Sequence, residues 1–143
     1  MANIYWDKVL IPLKNLLRSE FGKSFNIYIG EEFVKKGNSS IRLYCTGSSL
    51  NDEYNYGQTR IYNIELTYYM SAVKVDENVM KKLYNDIGRI ETVCFNNRNY
   101  TDYWFNGQVS DVDVKTMYDE DEIQSGNVLA GVLNYNVSHI ANL

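Results

Sequence analysis

The chain has 143 residues, of which 45% are hydrophobic and 22% are charged. This composition excludes an intrinsically disordered chain, and the length predicts one domain over residues 1–143. A formal net charge of −4 at pH 7 argues against a surface that holds nucleic acid by neutralising its phosphates.

The N-terminal segment predicts an amphipathic helix that ends at Gly22, a residue type that favours helix termination. Asp7 is a candidate N-cap, and Pro12 must lie in the first turn or kink the helix because it lacks a backbone N–H. The segment has no basic lead or long apolar run, so we expect neither a signal peptide nor a transmembrane helix. The apolar residues at helical spacing are Val9, Leu13, Leu16, Leu17 and Phe21.

Two strands are predicted next, because apolar and polar residues alternate over residues 25–29 and again over residues 41–45. The turn signal around Gly37 predicts that they form an antiparallel hairpin. A further strand is predicted from Arg60 to Met70, with one apolar face and one largely polar face. The apolar face consists of Tyr62, Ile64, Leu66, Tyr68 and Met70.

A polar, glycine-bearing stretch from Thr46 to Gln58 precedes that strand. It is long for a hairpin connection, and long loops in compact domains are usually functional or mobile. We therefore predict a loop here.

A second helix is predicted from Glu77 to about Phe95. Asp76 has the properties of its N-cap, and the negative charge of Glu77 is favourable in the first turn. One side of this helix is apolar. We expect Leu83, Ile87 and Ile90 on that side to meet Leu13, Leu16 and Leu17 of the first helix, together with Ile64 and Leu66. The apolar residues are Val79, Leu83, Ile87, Ile90 and Cys94.

The last third of the chain predicts two more strands. A change of phase near Ser110 indicates a bulge or bend in the first of them. The final strand covers residues 128–140, in which Gly131 marks a bulge or a close backbone approach. The predicted fold is therefore α+β, with an antiparallel or mixed β-sheet of about five strands packed by an N-terminal helix and a central helix.

No sequence motif indicates catalysis, nucleotide binding or metal binding, so we expect neither an enzyme nor a cofactor. His139 is the single histidine and has no predicted nucleophile beside it, while Cys45 and Cys94 are interpreted as reduced core thiols. Acidic residues such as Asp111 and Asp113 are interpreted as solvated, since the EF-hand template is absent.

Three arginines each lie two residues before a tyrosine, at Arg42, Arg60 and Arg98. Interleaved cations and aromatic rings can bind single-stranded nucleic acid. Acidic residues nearby weaken this indication of nucleic-acid binding. Positions on the solvent side of strands explain the arginines better.

The order of these elements resembles the tail terminator (tail-completion) proteins of long-tailed bacteriophages over nearly the full length. The stretch from Thr46 to Gln58 and the acidic stretch before Val128 have no aligned counterpart. The segments that carry the resemblance are "IYWDKVLIPLKNLLRSEF", a hairpin and long strand ending in "IELTYYM", the central helix "ENVMKKLYNDIGRIETV", and the final strand "VLAGVLNYNVSHI".

This resemblance implies a structural virion protein of the tail and neck, assembled in the host cytoplasm, that forms a hexameric ring and stops tube growth. Its partners would be copies of itself, the tail tube protein and a neck or connector protein. DNA would pass through without specific binding, and no membrane would be involved. Two loops are hypothesised to make contacts: the first with a neighbouring ring, and the second, which is acidic, with the lumen or a neighbouring ring. They are Asn51, Asp52, Glu53, Tyr54 and Tyr56 in the first loop, and Asp119, Glu120, Asp121 and Glu122 in the second.

Two alternatives remain open at the level of sequence. The same order of elements and the same kind of composition would suit another neck, connector or head-closure ring protein. A small ligand-binding module or enzyme would require a pocket with convergent polar groups. A hexamer in solution favours a ring-forming protein, whereas a monomer with a deep apolar pocket favours ligand binding.

Overall fold

The computed structural model describes residues 3–30, 39–54, 57–117 and 127–142. Within these residues the fold is α+β, with one five-stranded mixed sheet and two main helices, which confirms the predicted fold class. A π-helical segment (Ile4–Leu10) leads into helix α1 (Ile11–Phe21), and the central helix is α2 (Glu77–Asn96). The strands are β1 (Asn26–Ile29), β2 (Ser39–Tyr54), β3 (Gly57–Ala72), β4 (Phe105–Met117) and β5 (Asn127–Asn142).

The strand order in the sheet is β1-β2-β3-β5-β4. All neighbouring pairs are antiparallel except β1 with β2. β5 therefore inserts between β3 and β4, although both precede it in the chain. Helix α2 carries the chain across this gap. None of the helices among the described residues is long and apolar enough to cross a membrane.

β1 and β2 run parallel, so the predicted antiparallel hairpin is wrong. Asn26 lies opposite Ser40, and Ile29 lies opposite Leu43. A strand of 4 residues spans only about 13 Å. The connection between Ile29 and Ser39 is long enough to cover that distance, so the chain can return to the starting end of β1 without a crossover helix.

The N-terminal helix begins after Asn3 rather than after Asp7. The Asn3 Oδ1 atom accepts a hydrogen bond from the backbone N–H of Trp6 at 3.1 Å. Asp7 already donates its own N–H to the Asn3 carbonyl at 2.7 Å, so it belongs to the helix and cannot cap it. Pro12 lies at the start of α1, where its missing N–H is tolerated. The helix ends at Gly22, as predicted, with a φ of 65°.

Helix α2 begins at the predicted cap. The Asp76 Oδ1 atom accepts a hydrogen bond from the Val79 N–H at 2.9 Å. Inside the helix, the buried carboxylate of Asp86 accepts bonds from the Tyr68 hydroxyl at 2.5 Å and the Lys82 ammonium at 2.7 Å. Asp86 thus connects α2 to the centre of β3 through a satisfied polar contact.

Both helices cover one face of the sheet, and the hydrophobic core lies between the two layers. The predicted apolar face of β3 is buried throughout. Leu16 is the one member of the predicted helix–sheet core that is only partly buried. The other members belong to a single cluster, as predicted: Leu13, Leu17, Ile64, Leu66, Leu83, Ile87 and Ile90.

The sequence predicts an irregular position in each of strands β4 and β5. The pairing register shifts between Val109 and Asp111, which confirms the bulge near Ser110. Gly131 causes no shift in the register of β5. Instead, a Cβ at Gly131 would lie 2.5 Å from Cδ1 of Ile87, so the close approach is the alternative that applies.

Candidate functional site

The described residues contain no group suited to metal binding. No three or more His, Cys, Asp or Glu side chains lie together in that part of the chain. Cys94 is buried, and burial raises the pKa of its thiol to about 12. Burial also raises the pKa of Cys45, against the smaller, opposing effect of a hydrogen bond with the Gly47 backbone. Both thiols therefore form the reactive thiolate less readily than a free cysteine.

His139 is half-buried and has its own packing partners. Its Nδ1 atom lies against the carbonyl oxygen of Tyr103, and Nδ1 carries the proton because a carbonyl oxygen can only accept. Its ring meets the ring of Tyr62 edge-on, with centroids 6.4 Å apart. These contacts tie β5 to the segment that precedes β4.

Arg42 is buried on the sheet face opposite the helices, so its predicted solvent-side position is wrong. Only 8% of the residue is exposed. Its Nη2 atom donates to the carboxylate of Glu65 and to the hydroxyl of Thr67, the latter at 3.1 Å. Its guanidinium also lies 5.9 Å from the centre of the Tyr44 ring. These neighbours neutralise and cover the charge, which removes Arg42 as a nucleic-acid contact.

A long polar extension of the sheet is the most distinctive surface feature. We call it the arm and define it as residues 46–54 of β2, 57–61 of β3 and 138–142 of β5. Strand pairing continues to its end, where Gly57 lies opposite Tyr54 on one side and Asn142 on the other.

The arm replaces the loop predicted from Thr46 to Gln58, and that prediction is wrong. All of these residues except 55 and 56, which lie outside the described residues, belong to β2 and β3. Two register shifts in β2, after Cys45 and after Leu50, interrupt its alternation. Such bulges bend a strand and increase its twist.

The π-helical segment supports the base of the arm. The hydroxyls of Tyr5 and Ser48 lie 2.6 Å apart, and the Nε atom of Arg60 donates to the same Ser48 oxygen at 3.1 Å. The Tyr5 ring meets the Tyr62 ring edge-on, with centroids 5.0 Å apart. The base is therefore fixed to the N-terminal helix, while the tip extends away from these contacts.

The hypothesised loop residues are placed only in part. Asn51, Asp52 and Glu53 are exposed near the tip of the arm. Tyr54 is the last residue of β2, and Tyr56 lies outside the described residues. The second set, Asp119, Glu120, Asp121 and Glu122, also lies outside the described residues.

Besides the outer side of the 4-residue strand β1, two longer stretches of sheet edge have no strand partner among the described residues. β1 pairs with β2 only from Ser40 to Leu43, so from Tyr44 to Tyr54 the outer side of β2 is unpaired within the described part of the chain. On the opposite side, β4 is the outermost strand. Unpaired strand edges are sites at which a sheet can add a strand from another chain.

Exposed apolar side chains lie on both of these edges. Leu50 on β2 is 51% exposed, and on β4 Val112 is 37% and Val114 is 44% exposed. None of these three side chains was predicted from sequence as a contact residue. The valines were interpreted only as strand residues, and Leu50 lay in the predicted loop. The signal that could have found them is a hydrophobic side chain among polar neighbours at a sheet edge.

A cleft of about 740 Å³ lies between α2 and β4. Phe95 at its rim is 64% exposed, and the guanidinium of Arg98 lies 4.4 Å from the centre of its ring. On the inner side, the Tyr135 hydroxyl donates to the Cys94 carbonyl at 3.0 Å. The lining mixes apolar, amide and charged side chains, as in many contact surfaces between proteins.

No protein-family model matches this chain, and no curated protein matches its sequence. Among solved structures, it is similar to the PVC sheath/tube terminator, in the extended state, of an extracellular contractile injection system. The TM-score is 0.54 and the sequence identity is 10%, and the match covers 92% of this chain and 54% of the other. This chain thus spans about half the length of that terminator. At this identity, the two chains are shown to share a fold.

Proposed function

We propose that this protein is a tail terminator, a structural subunit that ends the tube of a phage tail or a related tail-like particle. The observation that carries the proposal is the fold shared with a sheath/tube terminator over 92% of this chain. The order of the elements had already indicated the tail terminators of bacteriophages. Because one fold can serve several functions, the proposal needs support from the surface as well.

The surface supports a role in assembly rather than in catalysis. The described residues offer two unpaired sheet edges, a polar arm and exposed apolar side chains. Unpaired sheet edges are sites at which a strand of another chain can be added. We propose that the protein forms a ring, with six copies as the expected number, and that tube and neck proteins contact its two sides.

The charge of such a ring fits the passage of DNA. Six copies carry a formal charge of −24 (6 × −4). A negative channel disfavours binding to the phosphate backbone. We propose that the exposed acids Asp52 and Glu53, at the tip of the arm, contact a neighbouring ring. The acidic run from Asp119 to Glu122 is proposed to face the lumen or the next ring.

The proposal is tested by mixing the purified protein with tail tubes encoded by the same genome. Native mass spectrometry should find a ring of about 100 kDa (6 × 16.6 kDa), either in solution or after contact with tubes. Electron microscopy should find added density at one end of each tube and shorter tubes when the protein is present during polymerisation. A protein that neither binds tube ends nor limits tube length is not a terminator.

The cleft between α2 and β4 favours a second candidate, a ligand-binding module. Its volume of about 740 Å³ is within the range of small-molecule sites. The two candidates predict different behaviour at high concentration. A ligand-binding module stays monomeric and gains thermal stability from a small molecule, whereas a terminator assembles. Binding to neck proteins without binding to tubes would indicate a connector or head-closure ring instead.

A further inference from the structure

The two unpaired sheet edges have complementary geometry. We name them the β2 edge, from Tyr44 to Tyr54, and the β4 edge, from Phe105 to Met117. We infer that the β4 edge of one copy pairs with the β2 edge of the next copy, so that the sheet continues from subunit to subunit. This inference rests on the proposed ring and states which surfaces join it.

Strand direction permits this pairing. Within one copy, β2, β3, β5 and β4 follow one another across the sheet, each antiparallel to the next. β4 therefore runs opposite to β2. A rotation about an axis along the strands keeps each strand's direction, so β4 of one copy meets β2 of its neighbour antiparallel. The two edges also match in length, since β4 has 13 residues and both edges span roughly 40 Å.

Exposed apolar side chains lie on the same sheet face at both edges. Leu50 lies opposite Arg60, two residues before the buried Tyr62, so Leu50 is on the helix-bearing face. Val112 lies opposite the buried Leu133, and Val114 is two residues further along the same face. Joining the two edges would bring these apolar side chains onto one face and remove part of their surface from water.

The other face of the β4 edge is charged. Asp111, Asp113 and Lys115 are exposed on it and alternate with the valines. Charged side chains there keep this face solvated and disfavour stacking on a second sheet. Contact through this charged face is therefore disfavoured, and a partner of β4 has its backbone and its helix-side face available. The same charges protect the edge against unspecific strand pairing.

Pairing between unlike edges is preferred to pairing between two β4 edges. Two β4 edges related by a twofold axis would form a closed dimer and leave both β2 edges unpaired. Pairing of unlike edges uses both the β2 edge and the β4 edge of each copy. They also make a head-to-tail contact, which closes into a ring when the rotation between copies is suitable.

The test uses lysine substitutions that act on one edge at a time. Val112→Lys with Val114→Lys alters the β4 edge, and Leu50→Lys alters the β2 edge. Val73→Lys is the matched control, because Val73 is 86% exposed and lies in the connection between β3 and α2. Each edge variant should assemble at least about tenfold more weakly than wild type, since an unpaired ammonium is buried in the contact. The control should assemble as wild type.

Mixing the two edge variants gives a sharper result. The β4-edge variant keeps an intact β2 edge, and the β2-edge variant keeps an intact β4 edge. Each variant alone should be monomeric, whereas the mixture should form a heterodimer of about 33 kDa (2 × 16.6 kDa) and nothing larger. Native mass spectrometry of one isotopically labelled variant with its unlabelled partner measures this directly.

Three outcomes overturn the inference: assembly of the edge variants as in wild type, a homodimer of either variant alone, or a mixture that stays monomeric under the conditions in which wild type assembles. If variants assemble normally and still end tubes, the pairing is wrong while the proposed function stands. If the mixture forms the heterodimer but wild-type protein ignores tubes, the edge pairing stands and the terminator function is wrong.

Discussion

Strands β2, β3 and β5 pass through two different environments. Beneath α1 and α2, in what we call the body of the sheet, every second side chain of β3 is buried, from Ile64 to Met70. Beyond Tyr62 the same strands continue as the arm, where Leu50 and Ile140 are 51% and 53% exposed. Backbone pairing is continuous through both regions, so the difference lies in what covers the side chains.

This difference separates the source of stability from the surface that is available to partners. In the body, burial of apolar side chains supplies most of the stabilising free energy. In the arm, the strands are held by backbone hydrogen bonds and by the contact of Tyr5 with Ser48 and Tyr62. The side chains at the tip contribute little to folding, so they can be polar and serve assembly.

The largest effect is expected from a charge placed in the body. Leu83→Asp should prevent folding, because Leu83 is fully buried and the new carboxylate has no cation beside it. We expect a loss of more than about 4 kcal/mol in the free energy of unfolding. Circular dichroism and thermal unfolding measure it.

Leu83→Ala is the matched control for that substitution. It removes the same apolar group without adding a charge and should cost about 2–5 kcal/mol while leaving a folded protein. A soluble, cooperatively folded Leu83→Asp protein would mean that α2 does not bury this side of its surface. The statement that apolar burial beneath α1 and α2 stabilises the body of the sheet would then be wrong.

The body and the arm also differ in how far their sequences predict their structures. In β3, residues 62–70 alternate because one face meets α1 and α2, and the prediction of that strand and of α2 is confirmed. The arm lacks this signal, since three successive residues of β2, Asn51, Asp52 and Glu53, are exposed and two bulges in β2 interrupt the alternation. Its strands are specified by pairing with one another, which local polarity does not reveal.

The direction of β1 could not be predicted for a related reason. Alternation over residues 25–29 predicts a strand but carries no information on parallel or antiparallel pairing. The turn signal at Gly37 favoured a hairpin, and the register of Asn26 with Ser40 shows the opposite direction. The candidate contacts at the sheet edges depend on this topology, so they became visible only in three dimensions.

Alkaline pH should destabilise the body next most strongly. Burial and the contact with Asp86 raise the pKa of Tyr68, burial raises that of Tyr135, and burial raises that of Cys94 to about 12. These groups stay protonated in the folded protein while the unfolded chain loses their protons. Their stabilising contribution is therefore complete below the unfolded pKa values, near 8.5 for Cys and 10 for Tyr, and is lost as pH rises towards the folded values.

The expected loss is about 1.4 kcal/mol per pH unit for each group within that window. Denaturant unfolding at pH 8, 9.5 and 10.5 measures it. Cys94→Ala should lessen the decline between pH 9 and 10.5, because it removes one of the groups. Equal stability of the wild-type protein at pH 8 and pH 10.5 would show that these side chains are not buried as described.

A smaller effect is expected where α2 meets β5. Gly131→Ala places a Cβ 2.5 Å from Cδ1 of Ile87 and should cost about 1–3 kcal/mol through overpacking. The matched control is Gly88→Ala on α2, where a Cβ would meet no atom within 4 Å. Alanine there should stabilise the helix by about 0.5–1 kcal/mol. Chemical denaturation of both variants measures the difference.

The contact with Ile87 can be tested separately by a double-mutant cycle. Ile87→Ala removes the atoms that the new Cβ would meet, so Gly131→Ala should cost less in that background than in wild type. Additive effects of the two substitutions would mean that the close approach of α2 to β5 is not what excludes a side chain at Gly131.

The smallest effect on stability, and the most informative for the arm, is expected from Asp52→Asn combined with Glu53→Gln. Both side chains are exposed near the tip, so the free energy of unfolding should change by less than about 0.5 kcal/mol. Glu91→Gln, at an exposed position on α2, removes an acid from the body as a control. If the tip contacts a neighbouring ring, the double variant alone should bind tubes or neck proteins differently, as measured by co-sedimentation. Removing solvated charges from a surface that serves only assembly should leave the free energy of unfolding unchanged. A decrease of more than about 1 kcal/mol in the double variant would therefore mean that the tip contributes to folding.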